Sequence, residues 1–133
     1  MRILSVVAVT VALAACNTSN QAAQTNPRVP MHPITLNKAQ IDAIQSAVKR
    51  DLKDPYSAHF GEIKATRGAD GTVVACGFLN AKNSFGAYTG MKPFAAGLIE
   101  ASGKYLGSAR LVGGDDFAVR YTTNYCHNEG IIL

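Results

Sequence analysis

The chain predicts a single α+β domain, and three observations carry that expectation. Residues 36–53 repeat apolar side chains at the three- and four-residue steps of a helix. After Asp54-Pro55 the period changes to short β-favouring runs broken by glycine-bearing turns. Two cysteines, Cys76 within one of those runs and Cys126 near the C-terminus, would pin the end of the chain onto the sheet if they bond. The expected architecture is an N-terminal amphipathic helix on a four-stranded antiparallel sheet, with a short C-terminal helix and one disulfide.

In the helical segment, Ile41, Ile44, Val48 and Leu52 share one face, with Ala43 and Ala47 beside them. Asn37 can cap the first turn, with Gln40 three residues later to answer it as in a capping box. Asp42 near the start and Lys49, Arg50 and Lys53 near the end suit the helix dipole. Asp54-Pro55 stops the helix, because the residue before a proline is pushed out of the α region.

Residues 60–66 and 72–80 form the first two strand candidates. The Asp70-Gly71 dipeptide between them is a hairpin signal. Val74, Cys76 and Phe78 share one face of the second. A polar connection over residues 81–87 leads to a third candidate at 88–99. Ala101-Ser102-Gly103 then turns the chain into a fourth at 104–112, and Gly113-Gly114 breaks the pattern. Residues 115–128 fit two periods: Phe117, Val119, Tyr121, Thr123 and Tyr125 alternate as in a strand, while Phe117, Tyr121 and Tyr125 also recur at helical i, i+4 spacing. Asp115 or Asp116 as an N-cap and Gly130 as a stop favour the helix.

A length of 133 residues fits one domain, and 47% apolar with 17% charged residues is too hydrophobic for a disordered chain. The net charge of +4, from 13 Lys and Arg against 9 Asp and Glu, is dispersed. It leaves no basic tail, and it argues against a nucleic-acid partner.

Arg2 is the one charged residue ahead of Asn17, and the apolar run from Ile3 to Leu13 is too short to span a hydrocarbon core of about 30 Å. It has the form of a signal peptide. At its end, Leu13-Ala14-Ala15-Cys16 resembles the lipobox of bacterial lipoproteins. The resemblance implies a diacylglyceryl group on the Cys16 thiol, cleavage just before Cys16, and acylation of the new amino terminus by fatty acids such as palmitate. An ordinary export signal cut at an Ala-x-Ala-like site is the alternative. Two or three acyl chains, at about 0.8 kcal/mol per buried methylene, would hold the protein to a membrane without any contribution from its surface. Asn17 after the cysteine is not the aspartate that marks inner-membrane retention in enterobacterial lipoproteins, so the resemblance favours sorting to the outer membrane.

Residues 16–34 read as the lipidated cysteine and a flexible tether, rich in Gln, Asn, Thr and Ala and carrying Pro27, Pro30 and Pro33. His32 reads as a solvated residue of that tether. The folded domain is expected over residues 35–133, after a signal peptide over 1–15.

With Cys16 lipidated, Cys76 and Cys126 remain as an even pair in an exported protein, and a disulfide between them is the simplest outcome. A catalytic thiol with His59 or His127 as its base is the alternative.

The most distinctive text is Asp54-Pro55-Tyr56-Ser57-Ala58-His59-Phe60, then Cys76-Gly77-Phe78-Leu79-Asn80-Ala81-Lys82-Asn83-Ser84-Phe85-Gly86-Ala87-Tyr88-Thr89-Gly90. It resembles a group of small exported proteobacterial proteins, mostly uncharacterised, with a D-P-x-S-A-x-F motif and a C-G-x-x-N-x-K-N-S-F-G-x-Y-x-G motif. A further cysteine near the C-terminus completes their pattern, and that resemblance implies the same Cys76–Cys126 pairing. It implies no activity.

Asn80, Lys82, Asn83, Ser84, Phe85 and Tyr88 combine amides, a cation and flat apolar faces, a composition suited to a recognition loop. The plainer alternative is that the amides satisfy the loop's own backbone while the aromatics plug the sheet. His32, His59 and His127 lack ligand spacing, and Asp115, Asp116 and Glu129 would have to converge with one of them to hold a metal. No hydrolase or phosphate-loop motif is present, and no cofactor is expected. The expected function is therefore a non-enzymatic, lipid-anchored envelope protein, structural or binding a protein partner. An inhibitor or ligand-binding module, and an enzyme using Cys76 or a histidine, are the alternatives.

Overall fold

The computed structural model describes residues 28–133. The segment read as a signal peptide, Cys16, and the first part of the segment read as a tether, up to residue 27, lie outside the described residues. The elements run β1 (Met31–Ile34), α1 (Lys38–Lys49), a 3-10 turn (Pro55–Ser57), β2 (His59–Gly68), β3 (Val73–Asn80), β4 (Lys92–Ala101), β5 (Lys104–Val112) and α2 (Asp116–Asn128). All five strands form one antiparallel sheet whose spatial order follows the chain.

The sheet has five strands where four were expected, and the helix expected first in the domain comes after a strand. The added strand, β1, lies in the segment read as tether and pairs with Ala65–Gly68 of β2, with Pro33 opposite Thr66. Met-His-Pro-Ile is too short to show an alternating period, and its proline argues against a central strand. At an edge, proline is tolerated because only one side of the strand must be paired. His32, although in β1, is exposed as expected of a solvated residue.

Helix α1 begins at the expected capping box: the Gln40 amide donates to Asn37 Oδ1 at 3.0 Å and the Asn37 amide to Gln40 Oε1 at 2.8 Å. It ends at Lys49, earlier than the expected 53, because the Asp51 and Leu52 amides donate three residues back, to Val48 and Lys49, and tighten the chain before Pro55. The β2–β3 turn is held by Asp70, whose carboxylate accepts from the Thr72 amide and hydroxyl, both at 2.9 Å, with Gly71 at φ 84°. These bonds, the amide first, hold the Asp70 carboxyl below its ordinary range. Ser102 and Gly103, at φ 53° and 72°, make the two-residue β4–β5 turn. The third expected strand starts at Lys92 and not at residue 88, since residues 81–91 form a loop.

The sheet is covered on both faces. On one, Ile44 and Val48 of α1 pack on Ala65, Val73, Ala75, Leu79, Phe94, Ala96 and Leu98. Glycine at 107 lets the helix lie close on β5, and Arg50 donates to the Gly107 carbonyl at 3.2 Å, covering part of that sheet edge. On the other face a smaller cluster joins Val74, Cys76 and Ala95 to Cys126 and Ile131. Cys76 and Cys126 are bonded, fully buried, with Cα atoms 6.1 Å apart.

Helix α2, capped by Asp115 accepting from the Ala118 amide at 2.8 Å, crosses this second face diagonally. Its start lies over Leu111 and Val112 of β5, and its end reaches β2, where the Thr66 hydroxyl donates to the Glu129 carbonyl at 2.9 Å. A diagonal helix leaves two corners of the sheet bare. One lies under the 81–91 loop; the other holds the far ends of β4 and β5. Among the described residues no helix is long and apolar enough to cross a membrane.

Candidate functional site

The 81–91 loop builds itself from its own sequence. Asn83 is the keystone: its side-chain oxygen accepts from the amides of Phe85 at 2.9 Å and Ala87 at 3.1 Å. Its backbone closes the turn in both directions, accepting from Gly86 at 3.0 Å and donating to Ala87 at 2.9 Å. Gly86 sits at φ 80°, a left-handed conformation that suits glycine. Below the turn, Lys82 and Tyr88 form a one-pair antiparallel bridge, and Thr89 donates to the Ala81 carbonyl through its amide at 3.3 Å.

The neck is buttressed from outside. The Lys82 amide donates to Ser57 Oγ at 2.9 Å, and Ser57 in turn donates to the Asp54 carbonyl, so the Asp54-Pro55-Tyr56-Ser57 turn and the loop form one unit. His59 Nε2 and Tyr88 Oη are 3.0 Å apart, and the Lys82 ammonium lies 5.5 Å from the centre of the Tyr88 ring.

The six candidate residues therefore divide. Asn83 is spent on the loop backbone, as in the plainer alternative. Lys82 and Tyr88 pair across the neck. Asn80, at the end of β3 opposite His59, holds a buried Oδ1 that accepts no hydrogen bond from the described residues. Ser84 and Phe85 stand at the tip, and Phe85 is 94% exposed, so it plugs nothing in its own sheet. Tyr56, fully exposed, and Met91, half exposed, join the same end of the molecule. Neither was singled out in the sequence as a contact residue, because an isolated aromatic or methionine in a turn carries no periodic signal.

Both Cys76 and Cys126 sulfurs are in the disulfide, leaving neither as a thiol nucleophile. Among the described residues no three His, Cys, Asp or Glu side chains converge on a point that could hold a metal. Asp115 caps α2 and is not gathered with His59 or His127.

The fold and loop define a disulfide-closed α+β meander with an ordered aromatic loop at one end. No family model, curated protein or solved structure matches this chain.

Proposed function

We propose that this protein is a non-enzymatic lipoprotein of the bacterial envelope, anchored through acylated Cys16 to the outer membrane, that binds a protein partner with the tip of its 81–91 loop. The observation that carries the binding role is Phe85: a large apolar side chain held 94% exposed on a turn whose backbone is tied by Asn83. Such a ring contributes little to its own fold, whereas burying it in a partner is worth about 1.5–3 kcal/mol. The ordered turn reduces the entropy lost on binding. Tyr56, Tyr88 and Met91 widen the apolar contact, and the Lys82 ammonium supplies a cation beside it.

The direction of the chain supports the same function. Met31 enters the sheet opposite Gly68, at the end that carries the β2–β3 and β4–β5 turns, and the loop lies at the other end of the strands. A tether leaving from the first end presents the loop away from its anchor. A protruding phenylalanine fits a concave site, so an enzyme cleft is among the partners the tip could enter as an inhibitor does.

The test joins intact mass with crosslinking. Protein purified from native-like bacterial membranes is expected to begin at a multiply acylated Cys16, and a photo-crosslinker at position 85 is expected to capture one defined envelope protein. Phe85→Ala should abolish capture from a crosslinker at position 84 with an unchanged melting temperature. An unacylated chain would sink the anchor, and equal capture with and without the Phe85 ring would sink the binding tip.

A further inference from the structure

The second bare corner of the sheet is independent of the loop. Because α2 crosses diagonally, Ile99 of β4 and Leu106 of β5 stand on its side of the sheet with no helix above them, 62% and 52% exposed. The flank of α2 that borders this corner carries Phe117 and Tyr121, 69% and 55% exposed, their rings stacked with centroids 6.1 Å apart. Tyr125 continues the stripe one turn later beside Arg110, whose guanidinium lies against Gly97, where a side chain would otherwise stand. One stripe thus runs from Phe117 through Tyr121, Tyr125 and Arg110 to Leu106 and Ile99.

The stripe has matching halves. At one end a depression of about 280 Å³ opens between Leu111, Phe117 and Tyr121. At the other, a depression of about 180 Å³ is lined by Gly97, Ile99, Leu106 and Arg110. Individual charges mark the ends of the line: Asp115 and Asp116, followed one turn later by Arg120, stand at the Phe117 end, and Lys104, two residues from Leu106 and therefore on its face, at the opposite end.

We infer that this stripe is a two-fold interface between two copies of the chain. A two-fold axis perpendicular to the strands reverses one stripe on the other. It sets Phe117 and Tyr121 of each copy on the Ile99–Leu106 corner of its partner, and Asp115 and Asp116 of each copy near Lys104 of the partner. The parallel arrangement would oppose acid to acid and lysine to lysine, so charge selects the antiparallel one. Phe117 arriving over Gly97 meets the face of the Arg110 guanidinium, a favourable contact for an aromatic ring. The four exposed apolar side chains of two copies amount to roughly 900 Å² before any polar rim, close to the roughly 1,000 Å² a specific interface needs.

The test uses the full mature protein in detergent. Sedimentation is expected to give twice the protein mass, with Lys104→Glu shifting the species to monomer and the double exchange Lys104→Glu with Asp116→Lys restoring the dimer. In membranes, a chain carrying Leu106→Cys and Phe117→Cys is expected to form an intermolecular disulfide. Phe117→Ser, at an exposed site that leaves the fold intact, should lose the dimer and melt where the native protein melts once diluted to monomer, because dimerisation raises the melting temperature only at concentrations where the dimer forms. A monomer at every concentration, a dimer indifferent to Lys104→Glu and Phe117→Ser, or a stripe that crosslinks only to a different protein would each overturn the proposal. None of these outcomes bears on the loop, whose binding is read separately at position 85.

Discussion

Gly107 of β5 lies directly beneath the Ala43 carbonyl of α1, so close that a Cβ at position 107 would collide with the helix backbone. The two residues set the distance between helix and sheet. Backbone on both sides leaves no flexible side chain to yield, so Gly107→Ala must push α1 outward from Ile44, Val48 and the core they cover. The expected cost is about 1–3 kcal/mol, the range for overpacking. Gly114→Ala, whose new methyl would meet only the Ala118 Cβ at 3.9 Å, should be near neutral. Urea melts of both variants check the contrast, and equal stabilities would show that the helix moves without penalty.

The Cys76–Cys126 bond closes a loop of 50 residues and holds α2 on a small cluster that includes Val74, Ala95 and Ile131. Replacing both cysteines with alanine is expected to lower the unfolding free energy by about 4 kcal/mol in the chain-entropy picture. That is comparable with the whole stability of many domains of this size. Denaturation of the native protein with and without reductant should reproduce the difference. A reductant effect below about 1 kcal/mol would mean that the cluster holds α2 without the bond.

Much of this fold was legible because particular residues carry local instructions. Asn37 with Gln40, Asp70 with Gly71, and Asp115 ahead of an apolar stripe each fix a boundary through bonds to adjacent backbone. The choice of helix for residues 115–128 rested on Asp115 and Gly130, since the spacing of Phe117, Tyr121 and Tyr125 satisfied both periods. The elements that were missed depend on partners distant in sequence. β1 exists because Ala65–Gly68 offers an edge, and nothing within Met31–Ile34 announces it. In the loop, composition identified the segment but not the division of labour. That Asn83 bonds inward while Phe85 points out is a matter of turn geometry, which composition does not encode.

Tyr125 gives the fold a predictable alkaline limit. Burial, more than any other influence, raises its hydroxyl above the ordinary value of 10.0, and Arg110 beside it works the other way. The folded protein therefore keeps a proton that the unfolded chain releases as the pH passes 10. Its contribution is complete below pH 10 and is lost as the pH rises through the raised value. Melting temperature should fall above pH 10, and Tyr125→Phe should flatten that decline while leaving the curve near pH 7 in place. An identical alkaline decline in the variant would assign it to other groups.

Asn80 and Asn83, three residues apart, are predicted to respond in opposite directions to loss of the amide. Asn83 Oδ1 accepts two backbone amides, and Asn83→Ala strands both at an exposed site where water can replace the lost acceptor. The expected cost is about 0.5–1.5 kcal/mol, with faster hydrogen exchange at the Phe85 and Ala87 amides. Partner capture at position 85 should fall too, because the turn that presents the ring is no longer held. Asn80 Oδ1 is buried without a donor among the described residues, a position that penalises the fold by about 1–3 kcal/mol relative to an apolar replacement. Asn80→Val, a β-branched residue in a strand, should leave stability unchanged or raise it by about 1 kcal/mol. If Asn80→Val keeps the fold but loses the partner, the free oxygen serves recognition and accepts a donor from the bound protein. If it loses stability instead, the oxygen is already satisfied in solution, and Asn80 belongs with Asn83 to the framework of the loop.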